Sequence, residues 1–199
     1  MEILLILLFL FIALSVHEFA HAYVADKLGD STPRLMGRVT LNPIKHMDPI
    51  GTFLLVVTML SPGPAFGWGK PVVFNPYNLK NPKRDAGLVA LAGPVSNIIL
   101  ASLSILILYL TKDPLLLSLL IPFIQLNVVL AVFNLIPIYP LDGYNIMVAF
   151  LPHHLSEQFQ ETSRYGVYIL LLLVLTGAIS KILYPVLSLV QYLINTLVF

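Results

Sequence analysis

The sequence predicts an all-α integral membrane protein, a polytopic helical bundle of about five transmembrane helices with a re-entrant loop or short β segment after the first. Three observations predict it. Of the 199 residues 58% are hydrophobic and only 11% charged, with a mean hydropathy of +0.89. A soluble domain carries about 25% charged residues, so this chain cannot cover a water-facing surface. Several uncharged runs are long enough to cross a hydrocarbon core of about 30 Å. Eight of the 11 Lys and Arg residues fall in one connection, the asymmetry expected of a multi-pass topology. The net charge of +1 gives no basis for nucleic-acid binding, and the absence of Cys removes disulfides and thiolate metal sites. One domain, residues 1–199, is expected at this length.

The first apolar run, Ile3 to Val16, meets His17 and Glu18 and resumes from Phe19 to Ala25, so a helix over 3–26 reaches bilayer thickness. A signal peptide needs a basic start, and this chain begins Met1-Glu2, which favours a retained span. The second run, Ala86 to Leu110, and the third, Pro114 to Leu141, are separated only by Thr111, Lys112 and Asp113. They are expected to form an antiparallel hairpin within core segments 86–111 and 114–143. A polar interval with His153, His154, Glu157, Glu161 and Arg164 precedes the C-terminal helices, 165–199. Those 35 residues are too many for one ordinary span, and Gly177 with Lys181 offers a turn between two.

Within the connection 27–85, the stretch from Lys27 to Arg84 carries Lys27, Arg34, Arg38, Lys45, Lys70, Lys80, Lys83 and Arg84 against Asp30 and Asp48. By the positive-inside bias it faces the cytoplasm, which places the N-terminus and the Thr111–Asp113 turn outside. Within it, Pro49 to Leu60 is apolar, too short to span but long enough to dip. Ser61-Pro-Gly-Pro64 then breaks the chain, and Phe66 to Phe74 reads FGWGKPVVF. Gly67 and Gly69 disfavour a helix there, leaving a strand, hairpin or re-entrant loop, tolerable at membrane depth where protein covers it or it lines a wet cavity.

Chemistry concentrates in His17-Glu18-Phe19-Ala20-His21. Residues four apart on a helix point the same way, so both imidazoles can share one cation, with Glu18 in the same sector. This is the H-E-x-x-H pattern, two zinc-binding His and a Glu that serves as general base. Counting from Ile3, His17 lies about 21 Å along the axis, inside the membrane. Three ionisable groups at that depth each cost several kcal/mol unless paired, metal-bound or wet. A catalytic zinc wants a third protein ligand, and Asp142 is the candidate. It follows Pro137 and Pro140, which unwind the third helix at matching depth, and precedes Gly143, where the chain can turn. An Asp-Gly turn at a helix terminus is the plainer reading of Asp142 alone.

His17-Glu18-Phe19-Ala20-His21, Ala92-Gly93-Pro94-Val95-Ser96-Asn97 and the Asn134-to-Gly143 stretch NLIPIYPLDG, taken in order, resemble the site-2 protease family of intramembrane zinc metalloproteases over roughly Leu5 to Tyr144. The resemblance implies one zinc ion per chain held by His17, His21 and Asp142, with Glu18 as general acid/base. It implies that Asn134 helps hold the substrate carbonyl or oxyanion. Phe66 to Asn75 resembles the family's membrane-dipping strand that pairs with an extended substrate, which makes Gly67, Trp68 and Gly69 candidate substrate-binding residues. The implied partners are a transmembrane protein substrate and the lipid bilayer. The chain resembles a short form, since 199 residues leave no room for a PDZ or CBS domain.

The remaining polar residues read more plainly. Gly93 and Asn97, four apart, suit interhelical packing in lipid or shaping of the pocket. His46 and Asp48 suit a turn before Pro49, or a further ligand or gating pair. His153 and His154 belong to an exposed loop, and Trp68 and Tyr77 suit an interfacial belt as well as a groove. Lys80, Lys83 and Arg84 suit anchoring to anionic lipid. A proton or cation transporter or channel built on the same His, Glu and Asp cluster is the competing class. It predicts ionisable groups along the depth, whereas here they gather at one end. A membrane oxygenase or desaturase needs many histidines for iron, and five with two in an exposed loop are too few.

Overall fold

A computed structural model describes residues 2–61 and 65–198. It is an all-helical membrane bundle. The first helix, α1 (Glu2–Lys27), is followed by a one-turn helix, α2 (Thr32–Leu35), and by α3 (Pro49–Met59). The hairpin is α4 (Pro82–Thr111) and α5 (Pro114–Asn134), after which α6 (Asp142–Phe150) and α7 (His153–Glu161) lead to α8 (Ser163–Leu175) and α9 (Ala178–Val198). Four of these, α1, α4, α5 and α9, are long and apolar enough to cross a membrane. About five spans were expected, and the difference is α8. Its 13 residues rise about 20 Å, short of the roughly 30 Å that a lone perpendicular span must cover.

Local signals explain the element boundaries. Lys112 takes a left-handed conformation (φ 48°) that ends α4. Asp113 then caps α5 by accepting from the Leu115 and Leu116 amides at 2.8 and 3.0 Å, with Pro114 in the first turn. The three-residue turn makes α4 and α5 antiparallel neighbours, as the sequence implied. The last turn falls at Gly177 (φ 71°), between α8 and α9. Asp48, one of the two residues with an open role, caps α3 through the Ile50 and Gly51 amides. The third apolar run leaves the helix earlier than its length suggests: α5 ends at Asn134, before Pro137 and Pro140. Asp142 is therefore not on irregular backbone but opens the new helix α6. Gly143 is needed for close approach, because a Cβ there would meet the Ile136 carbonyl at 2.5 Å.

The helix α4 is the centre of the bundle and packs against α1, α5, α6 and α9. Away from the polar end its core is Ala101, Leu108, Ile124, Ile194 and Val198, contributed by α4, α5 and α9. Phe9 on α1 meets Phe123 on α5 edge to face at 5.3 Å. In lipid such contacts act through close packing rather than water exclusion.

The segment expected to be a re-entrant loop or short β element contains no helix over 65–75. Among the described residues it forms no sheet, only a single antiparallel bridge between Gly69 and Met47. Most of the expected Ser61-to-Pro64 break, residues 62–64, lies outside the described residues. Gly67 and Gly69 permit close packing: a Cβ would come within 2.5 Å of Leu55 Cβ at the first and 2.9 Å of Leu14 Cδ2 at the second.

Candidate active site

Two imidazoles from α1 and one carboxylate from the start of α6 converge. His17 Nε2 and His21 Nε2 are 3.1 Å apart, and Asp142 Oδ2 lies 3.2 Å from the first and 3.3 Å from the second. The far side of each ring fixes its proton. His17 Nδ1 is 2.7 Å from Asn97 Oδ1, and His21 Nδ1 is 2.7 Å from the Val89 carbonyl oxygen. Both partners are acceptors, so each Nδ1 carries the hydrogen and each Nε2 presents a lone pair. Three lone-pair atoms thus face one another within 3.3 Å, and Asp142 Oδ2 is buried without a hydrogen-bond donor.

That arrangement repels itself unless a proton or a metal cation lies among the three. A tetrahedral zinc with bonds of about 2.0–2.1 Å separates its ligand atoms by about 3.3–3.4 Å, and the observed triangle has that size. Two neutral imidazoles and one carboxylate, all buried or half-buried, form a donor set suited to catalytic zinc. Gly93 on α4 makes room for it, since a Cβ there would lie 2.6 Å from His17 Cε1 and Nε2.

A cavity of about 190 Å³ opens beside the triad, lined among others by Glu18, Pro71, Val72, Phe74, Asn134 and Asn145. That is room for several waters. Glu18 is buried, and its Oε2 accepts from the Val72 amide at 3.0 Å. Asn134, at the end of α5, donates one amide hydrogen to the Leu130 carbonyl at 2.9 Å. Of Phe66 to Asn75, the part that reaches the cavity is Pro71, Val72 and Phe74. Gly67, Trp68 and Gly69 sit instead against α3 and α1, with half-exposed Trp68 packed on Phe66 edge to face at 5.8 Å.

Three clamps hold the 65–75 segment across the cavity mouth. Near Lys70, its amide donates to the His46 carbonyl at 2.8 Å, and the buried Arg38 guanidinium donates to the Lys70 and Lys45 carbonyls. At Val72 the clamp is Glu18 itself. At Asn75 the backbone amide donates to Asp30 at 2.6 Å, and Asp30 also accepts from the Asn78 side chain and from Thr32. Burial raises the Asp30 carboxyl, but the donors of Thr32, Asn78 and Asn75 outweigh it and hold its pKa below the ordinary 3.8. Burial lowers the Arg38 guanidinium from its ordinary value, against the attraction of Glu18. Burial also lowers His46, whose Nε2 hydrogen bonds the Thr40 carbonyl at 2.8 Å while the Arg38 charge adds to the effect.

In the sequence Arg38 and Asp30 are only two charges of the connection 27–85. Their partners on the segment, Lys70 and Asn75, lie 32 and 45 residues away, beyond any local pattern. His46 is buried (1% exposed), and the triad remains the only group of three metal-capable side chains among the described residues. His153 is exposed and pairs with Glu157 at 3.4 Å, while Tyr77 is 89% exposed. Lys83 donates to the Leu151 carbonyl at 2.7 Å, tying the start of α4 to the end of α6.

Comparison with known proteins agrees with this chemistry. The model of Peptidase family M50 matches residues 111–175, which include Asn134 and Asp142. A protein of Bacillus subtilis (strain 168) named "Putative zinc metalloprotease YwhC" is 40% identical over 190 residues, covering 90% of this chain and 84% of its own length. The proteins named Rip2 from Mycolicibacterium smegmatis and from Mycobacterium tuberculosis (strain ATCC 25618 / H37Rv) are 31% and 29% identical, each covering 85% of this chain and 66% of their own length. No solved structure matches the chain. The relationship to the Bacillus protein spans nearly the whole of both chains, and the chain belongs to peptidase family M50, the site-2 protease family, as a multi-pass membrane metalloprotease.

Proposed function

We propose that this chain is a zinc-dependent intramembrane endopeptidase that cleaves transmembrane segments of protein substrates near their cytoplasmic ends, as one protease domain over residues 1–199. The observation that carries the reading is the meeting of His17 Nε2, His21 Nε2 and Asp142 Oδ2 within 3.3 Å, beside Glu18 and a cavity. His17, His21 and Asp142 would hold one zinc ion, whose chemistry when bound would be to make a water more acidic and to polarise a carbonyl. The two imidazoles stay neutral, with their hydrogens on Nδ1. Glu18, kept in place by the Val72 amide, takes the proton of the attacking water and delivers it to the leaving amine nitrogen. Asn134 has a second amide hydrogen beyond the one given to Leu130, and offers it to the developing oxyanion. One such donor is worth about 10² to 10³ in rate.

A helical substrate hides its amides and must unwind to be cut. The Lys70 and Val72 amides point inward, to the His46 carbonyl and Glu18. By strand alternation those of Gly69 and Val73 lie on the opposite edge, free to add an extended substrate strand. The positive-inside bias of the basic connection supports a cytoplasmic position for this end of the bundle, with the N-terminus outside.

Co-expression of Glu18→Gln with single-span substrates tests the reading. The variant is expected to keep its zinc and leave the substrate intact, while the parent protein yields a shortened product. Cleavage by Glu18→Gln at the parent rate overturns it.

A further inference from the structure

We propose that Asn97 and Asn127 are positioning residues of the metal centre, a directional hydrogen-bond relay that sets the proton and ring orientation of His17. The inference rests on the zinc reading above.

Both side chains are completely buried, 0% exposed, in the middle of the bundle. Asn127 Nδ2 donates to the Phe123 carbonyl at 2.9 Å. A main-chain carbonyl can only accept, so the orientation of this amide is fixed and Asn127 Oδ1 faces away from it. Asn97 Nδ2 donates to that oxygen at 3.0 Å and to the Ala13 carbonyl at 3.3 Å. With both nitrogen contacts made to acceptors, Asn97 Oδ1 must face His17 Nδ1, at 2.7 Å. His17 therefore carries its hydrogen on Nδ1 and leaves Nε2 for the ion. The polarity runs without a break from a carbonyl of α5, through α4, to a ligand on α1.

The two ligand histidines are held differently. His21 is oriented by the Val89 main-chain carbonyl, which no substitution removes. His17 depends on a side chain, which in turn depends on a second side chain. Packing alone does not require this. Small apolar residues would fill the interface between α1, α4 and α5, and two buried amides are costly in hydrocarbon unless every group is paired. Each named atom here is paired, and the chain of donors ends on the ligand.

The test is zinc affinity, measured by chelator competition on purified protein in detergent, together with the melting temperature of the zinc-free forms. Loss of an outer partner of a ligand histidine typically weakens a metal about 10- to 100-fold, and Asn97→Leu is expected to fall in that range. Asn97→Asp keeps an acceptor for His17 but turns its second oxygen toward Asn127 Oδ1 and the Ala13 carbonyl, so its affinity is expected to fall between those of the parent and Asn97→Leu. Asn127 acts only through Asn97, so Asn127→Leu should weaken zinc by itself but add nothing in an Asn97→Leu background.

Parent-level affinity in Asn97→Leu, or independent multiplying losses in the double variant, overturns the proposal. If Asn97→Leu does not fold, Asn127→Leu decides: unchanged affinity there also overturns it. Failure of the underlying reading looks different, since then the parent protein itself holds no zinc that depends on His17.

Discussion

Replacing Gly93 by Ala puts the smallest possible obstruction against the metal centre. The added Cβ would stand 2.6 Å from His17 Nε2 and Cε1, where ordinary contact begins at 3.4 Å, and it would also crowd His21 Nε2. The α4 backbone is pinned between α1, α5 and α6, so the His17 ring must retreat by about 0.8 Å and the His21 ring by about 1.0 Å. Metal sites tolerate ligand displacements of about 0.2 Å. Overpacking of this kind costs about 1–3 kcal/mol. If the rings relieve it by leaving the ligand positions, zinc affinity falls about 5- to 150-fold at roughly 1.4 kcal/mol per decade. Chelator competition reads that loss directly. Gly87→Ala serves as the control, because its Cβ would crowd Ala149 on α6 and no ligand. It is expected to lower the melting temperature and leave zinc affinity unchanged. A Gly93→Ala protein that binds zinc as tightly as the parent would refute the geometry.

Asn134→Leu is expected to slow substrate cleavage about 10²- to 10³-fold while zinc content stays at one per chain, checked by metal analysis of the same preparation. Substrate spans with Gly, Pro or Asn near the cytoplasmic third should be cut fastest, because those residues make unwinding cheaper. Replacing them by Leu in a processed substrate and measuring the product tests this, and unchanged cleavage would remove it. Asp30 gives a pH prediction. Its folded pKa is depressed below 3.8, so its contribution is complete above that value and is lost as pH falls through the folded pKa. At neutral pH, Asp30→Asn should cost about 1.5–3 kcal/mol. In unfolding experiments the gap between the two proteins should close below about pH 4.

The parts of this molecule legible in its sequence are those written in local spacing. His17 and His21 are four apart on a helix, and that alone puts both rings on one face. The turn of Thr111 to Asp113 dictates the hairpin, and Gly177 marks the last turn. Asp142 was reachable because its depth matched the histidines, although the helix it opens was not foreseen: the prolines end α5 early and the chain re-enters a helix at the proposed ligand itself. The clamps were not legible. Arg38 to Lys70, Asp30 to Asn75 and Glu18 to Val72 close loops of 32, 45 and 54 residues, and no short-range pattern announces which carbonyl or amide a buried charge will find. The glycines 67 and 69 could be read as ruling out a helix, but not as the close-packing points they are against α3 and α1. Asn97 was visible as an interhelical amide, without its partner on either side.

The most direct test of the account is zinc-edge X-ray absorption on the purified protein, compared with Asp142→Ala. Two imidazole nitrogens and light oxygen atoms at about 2.0–2.1 Å are expected in the parent, with the carboxylate contribution lost and zinc bound more weakly in the variant. A parent spectrum without two imidazoles, or an Asp142→Ala protein with the parent's spectrum and affinity, would contradict it.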